Sequence, residues 1–246
     1  MADDMEPLGL LQLDTPEWRL WAAIAELSSY LKAQEWVLIG GQMVALHLHL
    51  AGVQPSRTTT DIDILADILA VHSSYTACKN AASKMNLKPE PSITGNTLHR
   101  FAGPLGQLDL LVPDHLPSWL KQKFTRPTPV VVPGGQRAID RRTSIAIRTT
   151  FGDAEIPVPD LQGALVLKSR AAIADTKDRQ RHCVDLAQLS AIINNPLGFR
   201  DGLDIKEKRY LRKVGLDEDV TKPPWLHLDD PVRQRALDAW FTLTAA

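Results

Sequence analysis

Two aspartates one residue apart, Asp61 and Asp63, stand inside an apolar run that continues through Ile62, Ile64 and Leu65. In a strand, successive side chains point to opposite faces, so both acids share one face while the isoleucines are buried on the other. Side by side, two carboxylates repel unless a cation lies between them, and a magnesium ion, which takes oxygen ligands, suits that place. Upstream, Trp36-Val37-Leu38-Ile39 ends in the pair Gly40-Gly41. Glycines at the end of a strand let backbone N–H groups approach a phosphate closely. Together the two features predict a metal-dependent site for a nucleoside triphosphate.

A third acid, Asp109, sits between Leu108 and Leu110. It either faces solvent on a half-exposed strand or joins the first two as a metal-site carboxylate, since burying it unpaired is expensive. Its likeness to the Asp61/Asp63 strand favours the second. Thr59 alternates in phase with Asp61 and Asp63, which points its hydroxyl toward the same cleft, where an added phosphate would repel a triphosphate. Arg57 is expected to brace the acidic strand. His47 and His49, two positions apart on a helix, point apart and read as packing or surface residues.

The elements that must position these residues follow from spacing. Asp14-Thr15-Pro16-Glu17 starts an amphipathic helix running to about residue 33. Trp36 to Ile39 is a buried strand, and a helix from Gln42 to Ala51 aims its positive end where the phosphate would sit. Residues 66 to 86 read as helix, 97–102 and 107–112 as a hairpin around Gly103-Pro104-Leu105-Gly106, and 130–132 as an edge strand. Strands over 143–151 and 156–158 precede helices over 161–173, 177–193, 205–214 and 231–242. The expected class is α+β, a mixed sheet with flanking helices followed by a helical half, with a boundary near 159 separating segments 1–159 and 160–246.

A chain of 246 residues, 44% apolar and 23% charged, has ample length for a core. With a formal net charge of −1, contact with nucleic acid must come from local clusters: Lys121, Lys123 and Arg126; Arg137, Arg141 and Arg142; or Lys206 to Lys213. Only Cys78 and Cys183 occur, outside any CxxC pattern, which predicts neither zinc site nor disulfide and suits the cytoplasm. No apolar run approaches a membrane span, and the acidic start is unlike a signal peptide.

The series Gly40-Gly41, Arg57-x-Thr59-x-Asp61-x-Asp63, Lys168 and Asp185-Leu186 resembles the nucleotidyltransferase fold, in its AbiEii/AbiGii toxin-like branch of type IV toxin–antitoxin systems. The late helix of that branch often reads Arg-Asp-x-x-Asp-Leu. Here Arg181, Asp185 and Leu186 match while His182 stands at the first aspartate. The resemblance implies a cytoplasmic Mg2+-dependent transferase moving a nucleotide from an NTP to an RNA, such as a tRNA 3′ end, or to a protein hydroxyl, with a cognate antitoxin. It further implies that Asp61 and Asp63 hold the metal and that Asp109 stands near the attacking hydroxyl. Gly40, Gly41 and Gln42 would cradle the triphosphate, and Lys168 would neutralise phosphate charge. Asp185 would orient Lys168 or the substrate, while Arg179 and Arg181 would meet nucleotide or acceptor phosphates. Two competing readings use the same residues: transfer to a small molecule such as an antibiotic, and a non-catalytic binding module.

Overall fold

The computed structural model describes residues 8–9, 17–104, 106–124, 126–149, 152–216 and 219–245. In chain order the elements are β1 (Leu8–Gly9), α1 (Glu17–Tyr30), β2 (Trp36–Ile39), α2 (Gly40–Leu50), β3 (Asp61–Ala66) and α3 (Ser74–Lys84). Next come β4 (Lys88–Glu90), β5 (Arg100–Gly103), β6 (Gly106–Pro113), α4 (Ser118–Lys121), β7 (Val130–Val132), α5 (Gly135–Asp140), β8 (Arg142–Thr149) and β9 (Gly152–Pro159). The chain then turns helical: α6 (Leu161–Ala174), α7 (Arg179–Ala191), α8 (Pro196–Asp201), α9 (Ile205–Val214), a 3₁₀ turn at Trp225–His227, and α10 (Asp230–Thr244). This is the expected α+β class. The proposed helix start at Asp14-Thr15-Pro16 lies outside the described residues.

The main sheet has the order β2-β3-β6-β5-β4, with β7 paired to the far end of β6. Strand β3 runs antiparallel to β2 and parallel to β6, in a register that sets Asp63 directly beside Asp109. Its pleat divides the residues as the alternation requires. Ile62 and Ile64 join the apolar cluster of α1 and α3, whereas Leu65, in phase with Asp61 and Asp63, joins the cluster built by α2, α5, α6 and α7. Burial is partial at Asp61 and Asp63 and complete at Leu65, so the acids stand where the helical cover ends. That second cluster draws on Val37 and Leu65 as well as on Leu165, Leu186 and Trp240, so apolar packing spans the junction near residue 159.

Several expectations need correction. Residues 67–73 are not helical: Asp67 bends the chain, its amide donating to the Glu35 carbonyl and its carboxylate accepting from the Ala70 amide and Arg142. These local bonds replace the backbone ladder of a helix, and α3 begins only at Ser74. The strand expected from residue 97 starts at Arg100, with Thr97 held by a lone bridge to Thr128. Helix α2 starts at Gly40 itself, two residues earlier than expected. The basic cluster Arg137, Arg141 and Arg142 is not a free patch. Arg137 and Arg141 converge on the buried Glu207 of α9, and Arg142 pairs with Asp67. His47 packs as expected, buried with Nε2 2.9 Å from the Pro159 carbonyl.

Candidate active site

A cleft of about 500 Å³ opens along the polar face of β3, between the main sheet and helices α6 and α7. Asp61, Asp63 and Asp109 line its sheet side, Gly40 and Gly41 lie at the start of α2, and Lys168, Arg181 and His182 come from the helices. Residues widely separated in sequence therefore meet because β3 and β6 pair in parallel and α6–α7 fold back over them.

The glycines are required by space. Gly40 has φ +71°, and a Cβ there would come within 2.6 Å of Asp63 Cγ; one at Gly41 would come within 2.9 Å of Thr59 Cβ. Both contacts are closer than carbon atoms tolerate, so the pair lets the turn pass directly over the acidic strand. No side chain caps the start of α2, which leaves its first N–H groups available. Gly40→Ala should destabilise the fold by about 1–3 kcal/mol, through the left-handed backbone and the displaced Asp63. Urea midpoints would measure this, and a variant as stable as the parent would contradict it.

Loss of hydration, reinforced by the neighbouring Asp109 and Asp61 charges and opposed by Lys168, pushes the Asp63 carboxyl up to about 6. The donor set fits a magnesium ion: oxygen ligands on adjoining strands, with an excess of negative charge that a divalent cation would cancel. Among the described residues no three His, Cys, Asp or Glu side chains form a ready-made cage. Water and substrate oxygens would complete the shell, as they commonly do for magnesium. Asp109 is held by Arg100, whose Nε and Nη2 lie 3.1 and 3.2 Å from Oδ1 and Oδ2, while Gln107 donates to Oδ1. The bond to Asp109, outweighing partial dehydration, raises the Arg100 guanidinium above its ordinary value.

Asp185 is buried and doubly paired. Lys168 Nζ lies 2.6 Å from Oδ2, and Arg57 grips both oxygens at 2.8 and 2.9 Å. Burial pushes its carboxyl up, but the Lys168 charge and the Arg57 hydrogen bonds outweigh that and hold it below the usual range. Arg57 also donates to Thr59 Oγ1 at 3.0 Å, so it fastens the segment before β3 to α7. Bracing was expected of Arg57, but its anchor is across the cleft. Gln42 is buried, donating to the Thr59 carbonyl, and is absent from the cleft lining. Arg179 also lies away from the cleft, bonded to the Val214 carbonyl at the end of α9. Arg181 does line it, paired with Asp175 and Asp178.

His99, Arg100 and His182 line the cleft without having been assigned a role from the sequence. The hairpin carried the signal for Arg100: pairing Gly103 with Gly106 sets Arg100 opposite Asp109. His182 has Nε2 3.3 Å from Asp175 Oδ2. Burial together with the Lys168 and Arg181 charges lowers its pKa to about 4, against the opposite pull of Asp185 and Asp175. Below pH 6.5 the unfolded chain binds a proton there that the folded chain refuses, so this site erodes stability as pH falls from 6.5 to 4. His182→Gln should flatten that part of the stability–pH curve. Parallel curves for parent and variant in urea titrations would refute the assignment.

A family model described as the nucleotidyl transferase AbiEii toxin of type IV toxin–antitoxin systems matches residues 22–245. The chain belongs to the AbiEii nucleotidyltransferase toxin family. The match covers both the acidic strand and the helices that bring Lys168 and Asp185 to it, and the chain is a nucleotidyltransferase. No curated protein matches the chain. Among the described residues of this AbiEii member, no helix is long and apolar enough to cross a membrane.

Proposed function

We propose that the chain is a Mg2+-dependent toxin that transfers a nucleoside monophosphate from an NTP to a hydroxyl of RNA, such as a tRNA 3′ end, or of a protein. The observation that carries this reading is the register of Asp63 beside Asp109 on parallel strands, with Asp61 on the same face and Lys168 across the cleft. In the transfer, the acceptor oxygen bonds to the α-phosphorus as the bond to the β-phosphate oxygen breaks and pyrophosphate leaves. Asp61 and Asp63 would hold magnesium, which would supply charge neutralisation for the attacking and leaving oxygens. Gly40 and Gly41 offer backbone N–H groups to the triphosphate. Lys168 uses one N–H on Asp185 and has two left for phosphate oxygens. Asp109, once free of Arg100, takes the proton of the acceptor hydroxyl.

Exposed cations on α9, namely Lys206, Arg209, Arg212 and Lys213, favour a polyanionic acceptor over a small cationic one. A cognate antitoxin, as implied by the family, would act in the cytoplasm to restrain the enzyme. The test is incubation of purified protein with each labelled NTP and Mg2+, in separate arms with total RNA, a protein fraction and aminoglycosides. Label in RNA or protein is expected. Label only in the aminoglycoside arm would establish the small-molecule reading, and no label in any arm would favour a binding module.

A further inference from the structure

Arg100 is the clearest feature of the cleft that the reaction leaves unexplained. It comes from β5, outside the elements that carry the other charged groups, and its register partner on β6 is Asp109. Both of its bonds go to Asp109, one to each oxygen, so a cation entering beside Asp63 finds Asp109 already occupied. The two side chains differ in exposure, 40% for Arg100 and 13% for Asp109. The acid is fixed, whereas the guanidinium has room to swing on its flexible stem. Once displaced, it stays within the field of Asp61 and of Glu90, its register neighbour on β4, and a substrate phosphate is the added anion that its fork can grip. A guanidinium fork matches phosphate as well as carboxylate, and binds either with two parallel bonds.

We propose that Arg100 is the counter-ion of Asp109 in the metal-free enzyme and passes to a substrate phosphate when a divalent cation displaces it. This rests on reading the acidic face as the metal site. It makes Arg100 a phosphate-binding residue that links metal to nucleotide: the ion releases the arginine that the triphosphate needs, and by reciprocity each ligand strengthens the other. In the absence of nucleotide the same arginine weakens metal binding, which keeps the acidic face from holding an unproductive ion.

The experiment is titration calorimetry with Mn2+ alone, and with α,β-methylene analogues of the four NTPs at saturating Mn2+, on the parent, Arg100→Gln, Arg100→Lys and Asp61→Asn. Removing a competing two-bond ion pair should tighten Mn2+ binding to Arg100→Gln by about tenfold. The same variant should bind the nucleotide analogue about tenfold more weakly. Arg100→Lys, which keeps the charge but not the fork, should fall between. Mn2+ affinity that is unchanged or weaker in Arg100→Gln overturns the proposal, and so does unaltered nucleotide affinity. Asp61→Asn separates this from failure of the site itself. If it binds Mn2+ like the parent, the acidic face is not the metal site. If it loses Mn2+ while Arg100→Gln leaves Mn2+ affinity unchanged, only the role of Arg100 falls. Circular dichroism melting checks that each variant is folded.

Discussion

Asp63→Ala is expected to lower nucleotidyl transfer by about 10³-fold or more while leaving the fold intact. The size follows from the position of the side chain. Asp63 is the central acid of the face, two residues from Asp61 on its own strand and level with Asp109 on the next. Removing it withdraws the shared ligand from any cation placed between the other two. The fold should tolerate the change for the opposite reason. In the metal-free protein Asp63 is a dehydrated acid beside two others, with its pKa pushed up to about 6, so deleting it relieves repulsion. Activity and melting temperature should therefore move independently: transfer lost, melting point held or raised in buffer with chelator. Asp61→Ala should behave similarly, with a smaller stability response because Asp61 begins β3 and pairs with β6 alone, whereas Asp63 is flanked by strands on both sides. Transfer that survives both substitutions would remove the metal-site reading. Loss of transfer accompanied by a collapsed melting temperature would show that the acids hold the fold instead.

What the sequence revealed, and what it concealed, divides along physical lines. The acidic strand was legible because a period of two both buries Ile62 and Ile64 and turns Asp61 and Asp63 to the other, partly buried face. Gly40 and Gly41 were legible as a close approach, though not what they approach; Asp63 and Thr59 are neighbours only in the folded chain. The joining of Lys168 to Asp185 came from resemblance, since nothing in the spacing of α6 and α7 says which of their faces meet. Arg179 shows the limit of reading charges without rotation. On a helix it lies about 200° from Arg181, so both cannot face one cleft, whereas Arg181, His182 and Asp185 share a side. The cluster of Arg137 and Arg141 looked like a surface patch because its partner, Glu207, is some seventy residues away and buried in α9. Short helices such as α4, α5 and α8 escaped because four to six residues give too little periodicity to register.

Asp185→Ala should destabilise the protein by about 3–5 kcal/mol and also abolish transfer, a combination opposite to that at Asp63. Asp185 is 1% exposed and satisfies two cations, and without it Lys168, itself 5% exposed, is a buried charge that has lost its paired acid and is left to the attraction of Asp63. Three segments separate at once: the Arg57–Thr59 stretch that leads into β3, α6 through Lys168, and α7. Because the folded Asp185 carboxyl lies below its ordinary range, its contribution is fully present above the unfolded value near pH 4 and disappears as pH falls through the folded one. Asp185→Asn should therefore lose stability at neutral pH and converge on the parent in strong acid. The decisive variant is Asp185→Leu combined with Lys168→Met, which removes acid and amine together. Replacing a buried ion pair by apolar groups of similar size is often nearly neutral, so most of the lost stability should return, although Arg57 keeps an unmatched charge at the cleft edge. Transfer should not return, because the amine that faces the phosphates has gone. If the unfolding free energy from urea titration falls by less than about 1 kcal/mol in Asp185→Ala, the pair is not what fastens the helices to the sheet. If the double variant recovers activity, Lys168 serves the fold alone and the phosphates must be met by the remaining cations of the cleft, Arg100 and Arg181.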